Sequence, residues 1–211
     1  ENKMRKKYKR LLIVIIIFIV IIVGLIVIKK VTTKSVKNDV KVVDSIDSFS
    51  YTLDERDTIL MKNTYNELKK VLKEKTIDKE KYASLLAELF VIDLFTIDNK
   101  INKYDVACLE YVYPSSIDNF KMNVEDTLYK RVEDNTFGKR KQKLPVVKSV
   151  NVSNVENNTF KINDKEMESF VVKLTWDYEE NLGYDTSASI TLVEDSNKLY
   201  VVEYETGVNN E

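Results

Sequence analysis

One stretch of eighteen residues, 11–28, carries no charged or polar side chain and constrains this chain more than any other segment. At about 1.5 Å per helical residue it spans roughly 27 Å, close to the ~30 Å hydrocarbon core of a bilayer. Because a backbone in lipid must satisfy its own hydrogen bonds, the stretch predicts a transmembrane helix. Its landmarks are the two ends, one aromatic side chain and a glycine, namely Leu11, Phe18, Gly24 and Ile28.

Basic residues flank this predicted helix on both sides and indicate its orientation. The upstream cluster is denser than the downstream one, in which five lysines are spread over 29–41. The positive-inside rule therefore favours a cytoplasmic N-terminus and an extracytoplasmic C-terminal domain. An inverted anchor with a cytoplasmic domain is the alternative. The residues expected to determine the topology are Arg5, Lys6, Lys7, Lys9 and Arg10.

A cleaved signal peptide is the other interpretation of residues 11–28. The apolar region of a signal peptide is usually about 7–15 residues long and is followed by small residues at the cleavage site. Here the apolar run is longer, and Lys29 and Lys30 follow it directly. We therefore predict an uncleaved signal-anchor in a single-pass protein of the cell membrane.

The balance of charge reverses along the chain. Residues 1–43 contain eleven basic and two acidic side chains, whereas residues 44–211 contain 22 basic and 32 acidic ones. Nucleic acid needs clustered positive charge, so we expect as partners the membrane and other envelope proteins or a second copy, and no nucleic acid. The expected division is a basic tail at 1–10, the helix at 11–28, a polar stalk at 29–50, a folded domain at 51–206 and a tail at 207–211.

Apolar residues at three- and four-residue spacing predict helices in the first half of the domain. The first helix begins near Thr52, which fits a capping box with Glu55, and runs to about Lys75. The second opens at Asp78, a good N-cap, and continues to about Phe95. It is so apolar that it should pack on more than one neighbour.

A third helix is expected over residues 117–134, with Ser115 or Ser116 as its cap. It follows a compact apolar piece at 106–112, which Pro114 ends.

The hydrophobic pattern changes from a helical period to a period of two after residue 145. Alternation of this kind predicts half-buried strands, and short polar segments supply the turns between them. The expected strands lie in 145–155, 170–178, 188–192 and 200–204, and the expected turns are at Asn157-Asn158, Asn163-Asp164, 181–183 and 195–197. The predicted fold class is α+β, with about three helices packed on a curved antiparallel sheet of about four strands.

This order of anchor, helices and sheet, together with residues 82–90 and Phe95, resembles that of membrane-anchored NTF2-like domains. It is similar to the extracytoplasmic domain of VirB8-type components of conjugation and type IV secretion systems. The resemblance covers about residues 50–205 and implies an assembly or interaction module. Many unrelated functions use this fold, so fold analogy alone cannot assign one.

The sequence lacks residue types that common catalytic sites need. Without His, it cannot build a Ser-His-Asp triad or a His-containing zinc site. Cys108 is the only cysteine, and the three glycines outside 11–28 are too dispersed to form a phosphate-binding loop. We therefore expect a protein that is not an enzyme and has no cofactor and no metal site.

Carboxylates near the end of the second predicted helix are the candidates for acid–base chemistry. Asp93 and Asp98 lie there, and the alternative is that Asp93 occupies the exposed edge of the helix or bonds to nearby backbone. Pocket residues between sheet and helices would be Phe90, Asp93, Trp176 and Tyr178, with core packing as the alternative.

Three other features have mainly structural interpretations. Asp177 is expected to face solvent, and Cys108 to be a buried structural thiol. The basic residues within 139–143 form either a solvated loop or a contact with an anionic membrane surface or wall polymer.

Two functional hypotheses follow. The first is a single-pass, extracytoplasmic interaction or assembly module, a possible VirB8-like component of a transfer or secretion apparatus. The second is a small-ligand-binding or carboxylate-based enzymatic domain that uses the cone between sheet and helices. An open pocket that contains Asp93 together with another acid or a tyrosine would lead us to abandon the first hypothesis in favour of the second.

Overall fold

The computed structural model describes residues 40–207, in which three α-helices precede a four-stranded antiparallel sheet. The predicted α+β class is confirmed. The predicted membrane helix at 11–28 and its upstream basic cluster lie outside the described residues. Among those that are described, no helix is long and apolar enough to cross a membrane. The elements are β1 (Val42–Ile46), β2 (Tyr51–Asp54), α1 (Ile59–Val71), α2 (Lys79–Phe95), α3 (Ile117–Asp126), β3 (Val147–Ile162), β4 (Lys165–Tyr178), β5 (Ser187–Asp195) and β6 (Lys198–Thr206).

A two-stranded hairpin, β1 with β2, opens the folded region. Its first strand lies within residues 29–50, the segment predicted to be a polar stalk. Tyr51 and Leu53 are buried and alternate with the partly exposed Thr52 and Asp54, as expected for a strand with one face on the core. The capping box predicted at Thr52 is therefore wrong.

The N-cap of helix α1 lies six residues later than expected. Thr58 is its N-cap, and the Thr58 hydroxyl accepts a hydrogen bond from the N–H of Met61 at 3.2 Å. The helix ends at Val71, and Leu72 follows as its C-cap, so the expected end at Lys75 is also wrong.

Helix α2 is the centre of the core. Its predicted cap is confirmed, because Asp78 accepts a hydrogen bond from the N–H of Lys81 at 3.0 Å. The helix contacts both α1 and the sheet, as its unusually apolar sequence predicts. Its link to β3 includes a hydrogen bond from the Val147 N–H to the Thr96 hydroxyl at 3.2 Å.

Helix α3 is shorter than the predicted 117–134. It follows a 3₁₀ turn at Pro114–Ser116, and Ser116 makes no side-chain capping bond. The helix stops where the Thr127 hydroxyl donates to the carbonyl of Asn123 at 2.7 Å. Tyr129 beyond it is still fully buried, and its hydroxyl donates to the carbonyl of Leu94 at 2.8 Å. The apolar spacing therefore continued past the helix because the irregular segment also packs inward.

The sheet has the order β3-β4-β5-β6. The turn expected at Asn157-Asn158 is wrong, because both residues lie inside β3 and pair with Phe170 and Ser169 of β4. The turns predicted at residues 163–164 and 195–197 are confirmed, and Asn163, Asp164, Ser196 and Asn197 all have positive φ. Such a pair of left-handed residues matches the twist of a two-residue hairpin.

The space between sheet and helices is filled by apolar side chains. Phe170, Val172 and Leu174 are at most 1 % exposed, and the ring of Trp176 lies 4.7 Å from that of Phe95. Asp177 points away from this core and is exposed, as expected.

Candidate functional site

A polar pocket of about 200 Å³ lies to one side of α2, away from the four-stranded sheet. Its walls come from β2, from the turn between β2 and α1, from the end of α2 and from the segment 99–111. Asp93 lines it, together with four other carboxylates and a tyrosine. The arrangement that favours the second functional hypothesis is therefore present, although it does not lie in the predicted cone.

Asp93 is held by two donors. One carboxylate oxygen accepts from the Nζ of Lys100 at 2.7 Å, and the other accepts from the N–H of Cys108 at 2.9 Å. Burial lowers the pKa of Lys100, but attraction to Asp93 outweighs that effect, so its pKa lies above the ordinary value. The Lys100 ammonium is therefore a fixed positive charge inside the pocket.

A second ion pair closes another wall of the pocket. Arg56 Nη1 lies 2.7 Å from a carboxylate oxygen of Asp105 and also donates to the carbonyl of Asn99 at 2.8 Å. Burial raises the pKa of Asp105, but the hydrogen bonds from Arg56 and from the Ile101 N–H, together with the nearby positive charges, outweigh that effect, so its pKa lies below the ordinary range. Both Arg56 and Asp105 are therefore charged at neutral pH.

Three carboxylates of the pocket have no ion-pair partner among residues 40–207. Burial raises the pKa of Glu110 to about 7, against the opposing effect of two hydrogen bonds from Thr52. Burial likewise raises the pKa of Asp57 to about 6. For Asp54, burial and the nearby Asp93 raise the pKa above its usual value. Each of these groups is costly to ionise where it lies.

Tyr111 contributes the most buried polar group of the pocket. The residue is 1 % exposed, and its hydroxyl makes no hydrogen bond in the described part of the chain, although it lies close enough to the Glu110 carboxyl to lower the pKa of that group. Other fully buried tyrosines differ in this respect, because the hydroxyls of Tyr51, Tyr65 and Tyr129 each have a partner. A buried hydroxyl without a partner is unfavourable, so its occurrence in a cavity requires an explanation.

Unpartnered buried atoms concentrate in this pocket. Among the described residues, five buried side-chain nitrogen or oxygen atoms lack both a hydrogen-bond and an ion-pair partner, and three of them belong to pocket residues. These three are Arg56 Nε, Asn99 Oδ1 and the Tyr111 hydroxyl. The pocket therefore combines one free donor, one free acceptor and one group that can act as either.

Three of the four residues predicted to line a pocket lie elsewhere. Phe90 packs between Phe120 and Tyr204, and Trp176 packs on Phe95, as described above. Tyr178 donates its hydroxyl to the carbonyl of Asp185 at 2.7 Å. These three side chains therefore pack against other groups of the protein, which was the alternative to lining a pocket.

The other candidates have structural roles. Cys108 is buried, its thiol donates to the carbonyl of Phe90 at 3.3 Å, and burial raises its pKa, which makes it unreactive. Arg140 of the basic loop donates to the carbonyls of Lys100 and Asp98 at 2.8 and 2.6 Å. It therefore holds the segment that carries Lys100 into the pocket.

Comparison with known proteins adds no assignment: no protein-family model, curated protein or solved structure matches the chain. Within residues 40–207, no group of His, Cys, Asp and Glu side chains is arranged to hold a metal ion. The pocket has to be interpreted from its own geometry.

Proposed function

We propose that this chain is a single-pass membrane protein whose extracytoplasmic domain binds a small polar ligand in the pocket beside α2. One observation carries the proposal. The Tyr111 hydroxyl, the Nε of Arg56 and the Oδ1 of Asn99 are each buried without a hydrogen-bond partner, and all three residues line the same cavity. Several buried polar groups that lack hydrogen-bond partners at one place are typical of a binding site, because a bound ligand supplies the missing partners.

The proposal is one of binding without a chemical step. The two cations of the pocket are already paired with Asp93 and Asp105. The Cys108 thiol is buried and donates to a backbone carbonyl, which does not suit a nucleophile. What remains available is hydrogen bonding and negative charge.

The membrane location and the NTF2-like resemblance remain proposals from the sequence. The order of three helices followed by a four-stranded sheet is the one expected of an NTF2-like domain, and a VirB8-like role in assembly with other envelope proteins or with itself rests on the sequence resemblance alone. Protease added to intact cells should cleave the chain beyond residue 44. Protection of that region would indicate the inverted topology.

A fragment screen tests the binding function. The full chain in detergent is screened against small polar compounds by saturation-transfer NMR, as wild type and as the variants Tyr111→Phe and Tyr129→Phe. We expect binders whose signal is lost with Tyr111→Phe and kept with Tyr129→Phe, because Tyr111 lines the pocket, whereas the Tyr129 hydroxyl lies outside it and donates to the carbonyl of Leu94.

Stability measurements make the two variants a matched pair. Tyr111→Phe removes no hydrogen bond and should leave the free energy of unfolding unchanged or raise it. Tyr129→Phe removes the bond to Leu94 and should lower that free energy by about 1 kcal/mol. The binding proposal is wrong if no compound binds, or if the binders are indifferent to Tyr111→Phe.

A further inference from the structure

We infer that the ligand of this pocket carries a positively charged amino group, which binds among the carboxylates of Asp54, Asp57 and Glu110. This inference rests on the proposed binding function and names the class of ligand. Three features of the pocket support it: the charges that face the cavity, the unpartnered hydroxyl of Tyr111 and the ion pair that the pocket already contains.

The charges facing the cavity are unequal. Five carboxylates and two cations line it, contributed by β2, the following turn, α2 and the segment 99–111: Asp54, Asp57, Asp93, Asp105 and Glu110, with Arg56 and Lys100. Asp93 and Asp105 use the two cations, which leaves three acids. Lys198 of β6 does not line the cavity and lies over the ring of Tyr51 at 4.5 Å, although its ammonium is attracted to the Glu110 carboxylate.

The other titratable groups of the pocket do not change this balance. Burial raises the pKa of Tyr111 and that of the Cys108 thiol, so both groups are neutral. With every carboxylate ionised, the pocket has an excess of three negative charges, and an entering cation relieves their repulsion.

The acidic excess is joined by a second observation that points to a ligand. The Tyr111 side chain is 99 % buried, lines the cavity and leaves its hydroxyl without a partner among the described residues. That oxygen can accept a hydrogen bond from an ammonium group while Glu110, its neighbour in sequence, supplies the counter-charge.

An ammonium fits this pocket better than a metal ion does. No set of acidic side chains in the described residues is arranged for metal coordination. The pocket instead contains its own example of the proposed contact, because the Lys100 ammonium lies 2.7 Å from an oxygen of Asp93. That distance is typical of a charge-assisted hydrogen bond. The cavity volume of about 200 Å³ has room for a small amine.

Binding of a cation should release a proton. In the free pocket burial raises the pKa of Glu110 to about 7, and a nearby ammonium favours the ionised carboxylate. At pH 6 only about a tenth of Glu110 is ionised, whereas at pH 8 about nine tenths is. We therefore expect the affinity for the cation to fall about tenfold from pH 8 to pH 6.

Three probes of nearly equal size test the charge of the ligand: ethanolamine as the cation, ethylene glycol as the neutral compound and glycolate as the anion. Each is titrated by NMR against the full chain in detergent at pH 6 and pH 8. We expect ethanolamine to bind at least tenfold more tightly than the other two at pH 8. Glu110→Gln should weaken this binding and leave only the roughly twofold pH dependence that Asp57, with its pKa of about 6, contributes.

Glu88→Gln is the matched control. Burial also raises the pKa of Glu88, but its side chain does not line the cavity, so this variant should bind like the wild type. Equal or tighter binding of ethylene glycol or glycolate would overturn the assignment of a cation and leave the pocket a ligand site. If none of the three probes binds, the cationic assignment is also wrong, and the fragment screen with Tyr111→Phe decides separately whether the pocket binds anything. A response of Glu88→Gln equal to that of Glu110→Gln would refute the role of Glu110.

Discussion

Replacement of Lys100 by methionine should destabilise the domain strongly. The Lys100 side chain is 7 % exposed and that of Asp93 is 18 % exposed, with 2.7 Å between the charged atoms. Removing one partner of a buried ion pair costs roughly 3–5 kcal/mol, because the other charge stays buried. Asp93 keeps the N–H of Cys108 and some contact with solvent, so we expect the low end, about 3 kcal/mol.

Thermal unfolding of the full chain in detergent, followed by circular dichroism, measures the effect of Lys100→Met. For a domain of this size, about 3 kcal/mol corresponds to a fall in Tm of roughly 6–12 °C. The double variant Lys100→Met with Asp93→Asn should recover most of that loss, because no uncompensated charge remains.

Lys143→Met is the control for a surface pair. Lys143 also lies 2.8 Å from a carboxylate, that of Glu180, but the two side chains are 71 % and 56 % exposed. Its loss should cost less than about 1 kcal/mol. If Lys100→Met shifts Tm no more than Lys143→Met does, or if Asp93→Asn restores nothing, the account of the buried pair is wrong.

Three further predictions concern the same domain. The folded-state pKa values of Glu110 and Asp57 lie near 7 and 6, above the ordinary 4.5 and 3.8, so the folded state binds more protons and their contribution to stability falls as the pH rises from about 4 to 7. The free energy of unfolding, measured at a series of pH values, should therefore depend less on pH in Glu110→Gln than in the wild type. Thr58→Ala should cost about 1 kcal/mol by loss of a helix cap, whereas Ser116→Ala should cost almost nothing, and equal costs in thermal melts would contradict this. Trp176→Ala should lower the free energy of unfolding by roughly 3–5 kcal/mol by leaving a cavity, and a loss below 1 kcal/mol would mean that the core rearranges.

Periodicity predicted the elements that pack in the ordinary way. Helix α2 and the cores of the four sheet strands followed from helical spacing and from alternation, since the buried face imposes those periods directly. The wrong predictions concern segments in which a local sequence signal and the packing of the folded chain favour different structures. Thr52 and Glu55 have the spacing of a capping box, but the burial of Tyr51 and Leu53 makes that segment a strand.

The turn at Asn157-Asn158 failed for a related reason. Asparagine is typical of turns, but here the hairpin with β4 continues through both residues. At an exposed sheet edge, long-range pairing overrides local preference.

The candidate site was only partly visible in the sequence. Asp93 was identified because a carboxylate within an apolar helix is unusual, yet its neighbours in the pocket come from β2, more than thirty residues earlier, and from an irregular segment that follows. Glu110 did carry a signal, as the one charged residue within the apolar piece 106–112. Tyr111 gave none, because an unpartnered hydroxyl is a property of the folded surroundings alone.

The hairpin that opens the domain has a mechanical consequence. Its two ends lie side by side, with Val42 opposite Asp54 and the N–H of Glu55 bonded to the carbonyl of Lys41 at 3.0 Å. A force that pulls residue 40 away from the domain would load this end of the ladder first and open it one bond at a time. Asp54 forms part of the pocket wall, so the bonds that carry such a load first are also those that hold the wall in place.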